Sequence, residues 1–129
     1  MAEILIVDDD DVIRDTLDEL LSSDYKCETV ETAEKALDKL AAATFDVVLT
    51  DISMPGLSGR ELLQRVLQDY PHTPVIIISG FSDQDQAEEL IKLGAFDYLL
   101  KPFRLEVVEK SVKRALEFRR GLLTNQSSV

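Results

Sequence analysis

Cysteine and histidine are almost absent, with only Cys27 and His72 among 129 residues. One cysteine cannot form an internal disulfide, and the pair falls short of the four ligands of a structural zinc site. No apolar stretch approaches the roughly 18 residues of a membrane-spanning helix. The first residues, Met1-Ala2-Glu3, lack the basic start of a signal peptide. We therefore expect a cytoplasmic protein without membrane contact.

Basic residues are scarce relative to acidic ones: 14 against 25, a net charge of −11. This balance argues against a domain that binds nucleic acid or acidic membranes directly, since such binding relies on a basic surface. Hydrophobic residues make up 45% of the chain, which is too apolar for a disordered protein. The length fits one domain with a core of its own.

Five short apolar runs are typical of β-strands. Three are continuous rather than alternating, which favours parallel strands covered on both faces. The second run is more polar, as in an edge strand. The runs are Ile4–Val7, Lys26–Val30, Val47–Leu49, Val75–Ile78 and Tyr98–Leu100.

Each run is followed by a segment whose apolar residues recur every three or four positions, the spacing of one helix face. Strand and helix therefore alternate five times along the chain. This alternation predicts a parallel sheet with right-handed crossovers and helices on both faces.

Capping residues mark where several of these helices begin and end. Asp10 or Asp11 is expected to cap the first helix, and Ser82 the fourth. Gly94 is placed to end the fourth helix. The last helix is predicted to end at about Arg120, before Gly121 and a frayed tail over 122–129.

Polar side chains follow four of the predicted strands. Asp8 and Asp9 follow the first strand, Asp51 the third, Ser79 the fourth and Lys101 the fifth. Ligands of open parallel sheets bind at the carboxyl ends of the strands, so these side chains are expected at one edge. Neighbouring carboxylates repel unless a cation intervenes, and Mg²⁺ is the natural cation for oxygen ligands.

These residues together form a site for a phosphoryl group on a carboxylate. A metal ion and a lysine neutralise the phosphoryl oxygens, a hydroxyl donates a hydrogen bond, and an aspartate nucleophile gives an acyl phosphate. Taken singly, each residue has a structural explanation. Asp51 can begin a turn, Ser79 can cap a helix, and Lys101 can be a solvated strand end.

Four motifs, in order along the chain, resemble the receiver domain of two-component response regulators. The resemblance covers about residues 3–120 and implies a doubly wound, flavodoxin-like three-layer α/β sandwich. Its five-stranded parallel sheet would have the order 2-1-3-4-5, with five helices. It also implies a receiver domain over 1–120, with 121–129 as a tail or the start of a linker to an output domain. The motifs are residues 4–10, 51–59, 79–80 and 94–103.

The resemblance assigns the centre of the site. Asp51 resembles the phosphoacceptor that takes a phosphoryl group from a phosphohistidine of a sensor histidine kinase or a histidine phosphotransfer protein. Asp8 and Asp9 resemble the acidic pair that holds Mg²⁺, with Asp9 the direct ligand and Asp8 acting through water. Asp51 and the backbone carbonyl of Ser53 would complete the protein's share of the coordination. Lys101 resembles the lysine that contacts the phosphoryl oxygens.

The resemblance also implies a switch. Ser79 resembles the hydroxyl that moves toward the phosphoryl group, and Tyr98 the aromatic that turns inward with it. Ser53 and Phe81 occupy positions that tune the phosphoryl lifetime, and a bulky Phe81 favours slow loss. The domain would therefore be a signalling switch that assists its own phosphorylation and dephosphorylation, rather than an enzyme acting on separate substrates.

The expected output surface comprises the fourth helix, fifth strand and fifth helix, and controls a partner, self-association or an output domain. Residues 104–120 carry six basic and three acidic side chains, a balance of +3, so the rest of the chain carries −14. A basic helix on an acidic body favours an acidic partner or a second copy of the chain. An ordinary solvated helix face also explains this charge pattern.

Three rival functions fit the sequence less well. A haloacid dehalogenase-type phosphatase needs a second acid two residues after its nucleophile, but Ser53 stands there after Asp51. A nucleotide-binding domain would need G-x-G-x-x-G or a P-loop, and the chain has neither. A degenerate receiver that binds partners without phosphorylation is the third alternative. The chain keeps the site residues that such a receiver would not need: Asp8, Asp9, Asp51, Ser79 and Lys101.

Overall fold

The computed structural model describes residues 1–80 and 83–127, and within them five strands alternate with five helices. All strand pairs are parallel, in the order β2-β1-β3-β4-β5, which confirms the predicted fold. The strands are β1 (Glu3–Val7), β2 (Lys26–Val30), β3 (Val47–Asp51), β4 (Val75–Ser79) and β5 (Asp97–Leu100). The helices are α1 (Asp11–Leu21), α2 (Ala33–Ala42), α3 (Gly59–Asp69), α4 (Gln84–Leu93) and α5 (Leu105–Ser127).

Two apolar layers cover the sheet, one on each face. Alternate residues of each strand point to opposite faces, so Leu5 lies in one layer and Ile6 in the other. The layer around Leu5 packs against α2, α3 and α4, and the layer around Ile6 packs against α1 and α5. Every residue of β3 and β4 is buried, whereas β2 is partly exposed, as predicted for the edge strand.

The predicted cap of α1 is confirmed. Oδ1 of Asp10 accepts hydrogen bonds from the backbone N–H groups of Val12 and Ile13. Gly94, with φ 127°, ends α4 as expected. Phe81 and Ser82 lie outside the described residues, so their expected roles remain predictions.

The end of α5 was predicted wrongly. The helix does not stop at Arg120 but passes through Gly121 to Ser127. Glycine costs a helix interior about 1 kcal/mol relative to alanine. Contacts on the preceding turn offset that cost, because the ring of Phe118 packs against Phe96 with centroids 5.2 Å apart.

Arg119 anchors the same turn of α5 to the amino edge of the sheet. Its Nε donates to Oδ1 of Asp46 at 2.9 Å, and its Nη1 donates to the backbone carbonyl of His72 at 2.8 Å. The other carboxylate oxygen of Asp46 accepts from the backbone N–H of Glu3 at 2.7 Å. The guanidinium therefore connects α5 to the starts of three strands. Within the described chain, no helix is both long and apolar enough to cross a membrane.

Candidate functional site

Three carboxylates meet at the carboxyl edge of the sheet. Asp8 directly follows β1, Asp9 comes next, and Asp51 is the last residue of the neighbouring strand β3. One oxygen from each lies within 4.8 Å of the other two. The parallel pairing of β1 with β3 brings these residues together although they lie far apart in sequence.

Asp8 is fully buried. Its Oδ1 accepts a hydrogen bond from the backbone N–H of Asp10 at 2.9 Å, and its own N–H donates to the carbonyl of Val30 at 3.2 Å. Its Oδ2 is buried and accepts no hydrogen bond from any described residue. A buried charged oxygen without a hydrogen bond is costly, so a positive charge beside this atom would be stabilising.

Lys101 directly follows β5, and its side chain extends to the acidic cluster. Its Nζ lies 3.4 Å from Oδ2 of Asp8 and 3.6 Å from Oδ2 of Asp51. Its backbone N–H donates to the carbonyl of Ser79 at 2.8 Å, and its peptide bond to Pro102 is cis. The ammonium thus lies beside two carboxylates at the point where the sequence placed it.

Burial and mutual repulsion shift the carboxyl groups away from their ordinary acidity. Burial, and after it the charge of Asp8, raise the pKa of Asp51 to about 6 against the opposing effect of Lys101. Burial also raises the pKa of Asp8, partly opposed by the Asp10 N–H and by Lys101. One lysine therefore does not neutralise the cluster. Three clustered oxygens and a buried acceptor suit a hard divalent cation such as Mg²⁺.

Ser79 and Tyr98 occupy adjacent strands near the cluster. Ser79 is fully buried at the end of β4, and its hydroxyl donates to the carbonyl of Gly80 at 2.9 Å. Tyr98 on β5 is half-buried and packs against the layer beneath α4. Ile77 is its partner in the sheet register.

Ser53 is exposed in the loop after Asp51. It lines a cavity of about 410 Å³ between that loop and α4. The Arg60–Glu89 ion pair, 3.1 Å long, joins α3 to α4 beside the same cavity. The loop that carries Ser53 thus runs between the acidic cluster and α4.

Gly59 is a residue of the site that sequence reasoning did not single out. A Cβ at this position would lie closer than 3.0 Å to the carbonyl oxygen of Asp51 and to Cα of Ile52. The Gly59 N–H donates to the carbonyl of Ile52 at 2.8 Å. Only glycine lets the start of α3 approach the strand end so closely. The sequence feature that could have identified Gly59 is its position at the end of the 51–59 motif.

Arg14 is a second residue that the sequence did not single out. From α1, its Nη1 donates to the backbone carbonyl of Asp8 at 2.7 Å, and its Nη2 pairs with Asp11. The side chain of Arg14 is only 16% exposed. Helical periodicity does not reveal this contact, because Arg14 bonds to a backbone carbonyl before the helix and not to another side chain of α1.

Comparisons with known proteins identify the family of the chain. The family model of the response regulator receiver domain matches residues 4–113. The chain is 39% identical over 114 residues to the response regulator protein FleR of Pseudomonas aeruginosa. It is 42% identical over 114 residues to the DNA-binding transcriptional regulator NtrC of Escherichia coli. Each alignment covers 88% of this chain but 24% of the relative, so the chain spans about a quarter of these curated relatives.

Solved structures show the same similarity. A response regulator receiver domain protein from Clostridium thermocellum superimposes with a TM-score of 0.88 at 33% identity. That match covers 95% of this chain and 99% of the other. The receiver domain of NtrX from Brucella abortus gives a TM-score of 0.85 at 34% identity, covering 88% and 98% of the two chains.

Proposed function

Because the chain belongs to the response regulator receiver domain family, we propose that Asp51 accepts a phosphoryl group in a histidine-to-aspartate phosphorelay. The observation that carries this proposal is the acidic cluster of Asp8, Asp9 and Asp51, with Lys101 within 3.6 Å of two of its members. The donor is a phosphohistidine of a sensor histidine kinase or of a histidine phosphotransfer protein.

Asp51 is the nucleophile of the transfer. A carboxylate oxygen bonds to phosphorus as the bond from phosphorus to the histidine nitrogen breaks, and the imidazole leaves with that electron pair. With a pKa of about 6, most Asp51 carboxyl groups are ionised at pH 7 even before a cation binds. The domain is thus a phosphoacceptor that assists its own phosphorylation and dephosphorylation.

The three carboxylates fit Mg²⁺, because they offer clustered oxygens and one of them is a buried acceptor without a hydrogen bond. Asp9 is the proposed direct ligand, and Asp8 acts through water. Asp51 and the backbone carbonyl of Ser53 complete the set. When bound, Mg²⁺ supplies positive charge that offsets both the carboxylates and the phosphoryl oxygens. Lys101 adds a second positive charge on the β5 side.

Ser79 and Tyr98 are the proposed switch. The Ser79 hydroxyl, now bonded to the carbonyl of Gly80, would instead donate to a phosphoryl oxygen on Asp51. Tyr98 lies on the next strand, where it is half-buried, and would turn inward as Ser79 moves. The surface of α4, β5 and α5 would repack as a result, and so control a partner, self-association or an output domain.

The proposed domain boundary, at residue 120, lies within α5. Residues 1–120 form the receiver domain, and 121–129 are a tail or the start of a linker. The family model ends at residue 113, while the helix continues to Ser127. The curated relatives are about four times longer than the match, which leaves room for an output domain in such proteins. With its acidic balance, this domain is not expected to bind nucleic acid itself.

Incubation with acetyl phosphate and Mg²⁺, followed by intact mass measurement, tests the proposal. We expect wild type to gain one phosphoryl group and Asp51→Asn to gain none. Asp15→Asn, a change at an exposed aspartate on α1, is the matched control and should behave as wild type. Chelation of Mg²⁺ should abolish the gain. A wild type that gains no phosphoryl mass, or an Asp51→Asn variant that gains as much, would refute the proposal.

A further inference from the structure

The position of Asp8 is fixed by contacts at three of its atoms. The backbone N–H donates to Val30, Oδ1 accepts from the Asp10 N–H, and the backbone carbonyl accepts from Nη1 of Arg14 at 2.7 Å. The remaining oxygen, Oδ2, points to Lys101 without a hydrogen bond from any described residue. The orientation of Oδ2 toward the acidic cluster is therefore set by the hydrogen bonds at the other three atoms.

The Arg14 bond is the one that the sheet cannot provide. Pairing of β1 with both of its neighbours ends at Val7, so the Asp8 carbonyl lies beyond the last paired residue. A guanidinium donor makes a charge-assisted hydrogen bond, which is shorter and stronger than a neutral one. Because Arg14 is only 16% exposed, water competes weakly for this bond.

Arg14 makes this contact without occupying the cluster. Its described bonds go to the Asp8 carbonyl and to the carboxylate of Asp11, which is 82% exposed. Neither bond uses Oδ2 of Asp8. The guanidinium thus holds the strand end from the α1 side, while Oδ2 stays available to Lys101 and to a cation.

We propose that Arg14 is a positioning residue for phosphotransfer, acting through the backbone of Asp8. This inference rests on the proposed function, because Asp8 has a role to support only if the cluster binds Mg²⁺. Residues that orient metal ligands typically change metal affinity by 10–100-fold when mutated. For Arg14→Met we expect the Mg²⁺ dissociation constant to rise about tenfold. The phosphorylation rate at saturating Mg²⁺ should fall by less than about threefold, since Asp51 and Lys101 are unchanged.

Two measurements on the full chain test the inference. Calorimetry gives the affinity for Mg²⁺ alone, without a phosphoryl donor. Initial rates with acetyl phosphate across a Mg²⁺ series separate half-saturation from maximal rate. Arg14→Lys keeps a cationic donor and should give an affinity between those of Arg14→Met and wild type. Asp11→Asn removes the outer ion pair and should stay within about twofold of wild type.

Arg65→Met is the matched arginine control. Arg65 makes an exposed ion pair with Asp69 on α3, so its loss should leave Mg²⁺ affinity unchanged. Equal Mg²⁺ affinity in wild type and folded Arg14→Met would overturn the inference while leaving the proposed function intact. Failure of wild type to be phosphorylated would instead remove the proposed function. If Arg14→Met does not fold, Arg14→Lys decides: weakened affinity supports the inference, and wild-type affinity overturns it.

Discussion

The ammonium of Lys101 lies 3.4 Å from Oδ2 of Asp8, closer than the 3.6 Å that separates it from the carboxylate of Asp51. The lysine is therefore shared between a fully buried carboxylate and the phosphoacceptor. Without a divalent cation, this shared positive charge opposes protonation of both carboxyl groups, and at Asp8 the backbone N–H of Asp10 adds to its effect. The electrostatics of the site follow from this arrangement.

Replacing Lys101 by Met should raise the pKa of Asp51 above about 6, because a charge that lowers it is lost. The free energy of unfolding should fall by about 1–3 kcal/mol, since buried Asp8 loses its cation. Carboxyl NMR titration and urea denaturation measure the two effects. Lys92→Met, at an exposed position on α4, is the control. An unchanged Asp51 pKa in Lys101→Met would contradict the prediction.

Asp51 should make the Mg²⁺-free protein less stable as pH rises. Its pKa is about 6 when folded and 3.8 ordinarily, so the folded state binds the proton more tightly. The unfavourable contribution therefore grows from about pH 4 to about pH 6 and then stays at about 3 kcal/mol. Urea denaturation in EDTA at pH 4.5 and 7.5 measures it. Asp51→Asn should remove the contribution of Asp51 to the difference in unfolding free energy between the two pH values. An identical pH dependence in wild type and Asp51→Asn would contradict the prediction.

Gly59→Ala should destabilise the fold by at least about 2 kcal/mol, because the new methyl group meets the backbone of Asp51 and Ile52. The shift of α3 should also slow phosphorylation. Gly121→Ala is a matched control, since a Cβ there meets nothing within 4 Å. It should stabilise the helix by about 0.5–1 kcal/mol. Thermal unfolding that ranks the two variants in the opposite order would contradict this prediction.

Arg119→Met should lower the free energy of unfolding by about 2 kcal/mol, because the bonds to Asp46 and His72 are lost. A double-mutant cycle with Asp46→Asn should show coupling, since Arg119 is only 13% exposed. Arg65→Met, which breaks an exposed pair 4.0 Å long, should cost no more than about 0.5 kcal/mol. Equal costs at both arginines would show that burial does not strengthen the Arg119 contact.

Local patterns predicted most of the fold. Continuous apolar runs located the strands, and the more polar Lys26–Val30 run identified the edge strand. The strand order, by contrast, came from the family resemblance, because local periodicity does not encode which strands pair. The end of α5 was missed because Gly121 is a common stop signal, while the contacts of Phe118 and Arg119 that sustain the helix are not local.

The centre of the site was predictable from the positions of the strand ends. Parallel strands end at one edge, so Asp8, Asp51 and Lys101 were expected at that edge once the strands were located, and the strand order from the resemblance placed them close together. Arg14 and Gly59 were not predicted, because each acts on backbone atoms of another element. A backbone carbonyl has no sequence signature, so a contact to the Asp8 or Asp51 carbonyl becomes visible only in three dimensions.

Helix α5 begins at Leu105, shortly after Lys101, and is fastened by Arg119 at the opposite edge of the sheet. About 21 Å of helix separates those two points. Because these bonds hold the helix at Arg119, a displacement of its first turn would tilt α5 about that residue. The turns beyond Gly121 would then swing the opposite way, turning a small movement beside the acidic edge into a change of direction of the departing chain.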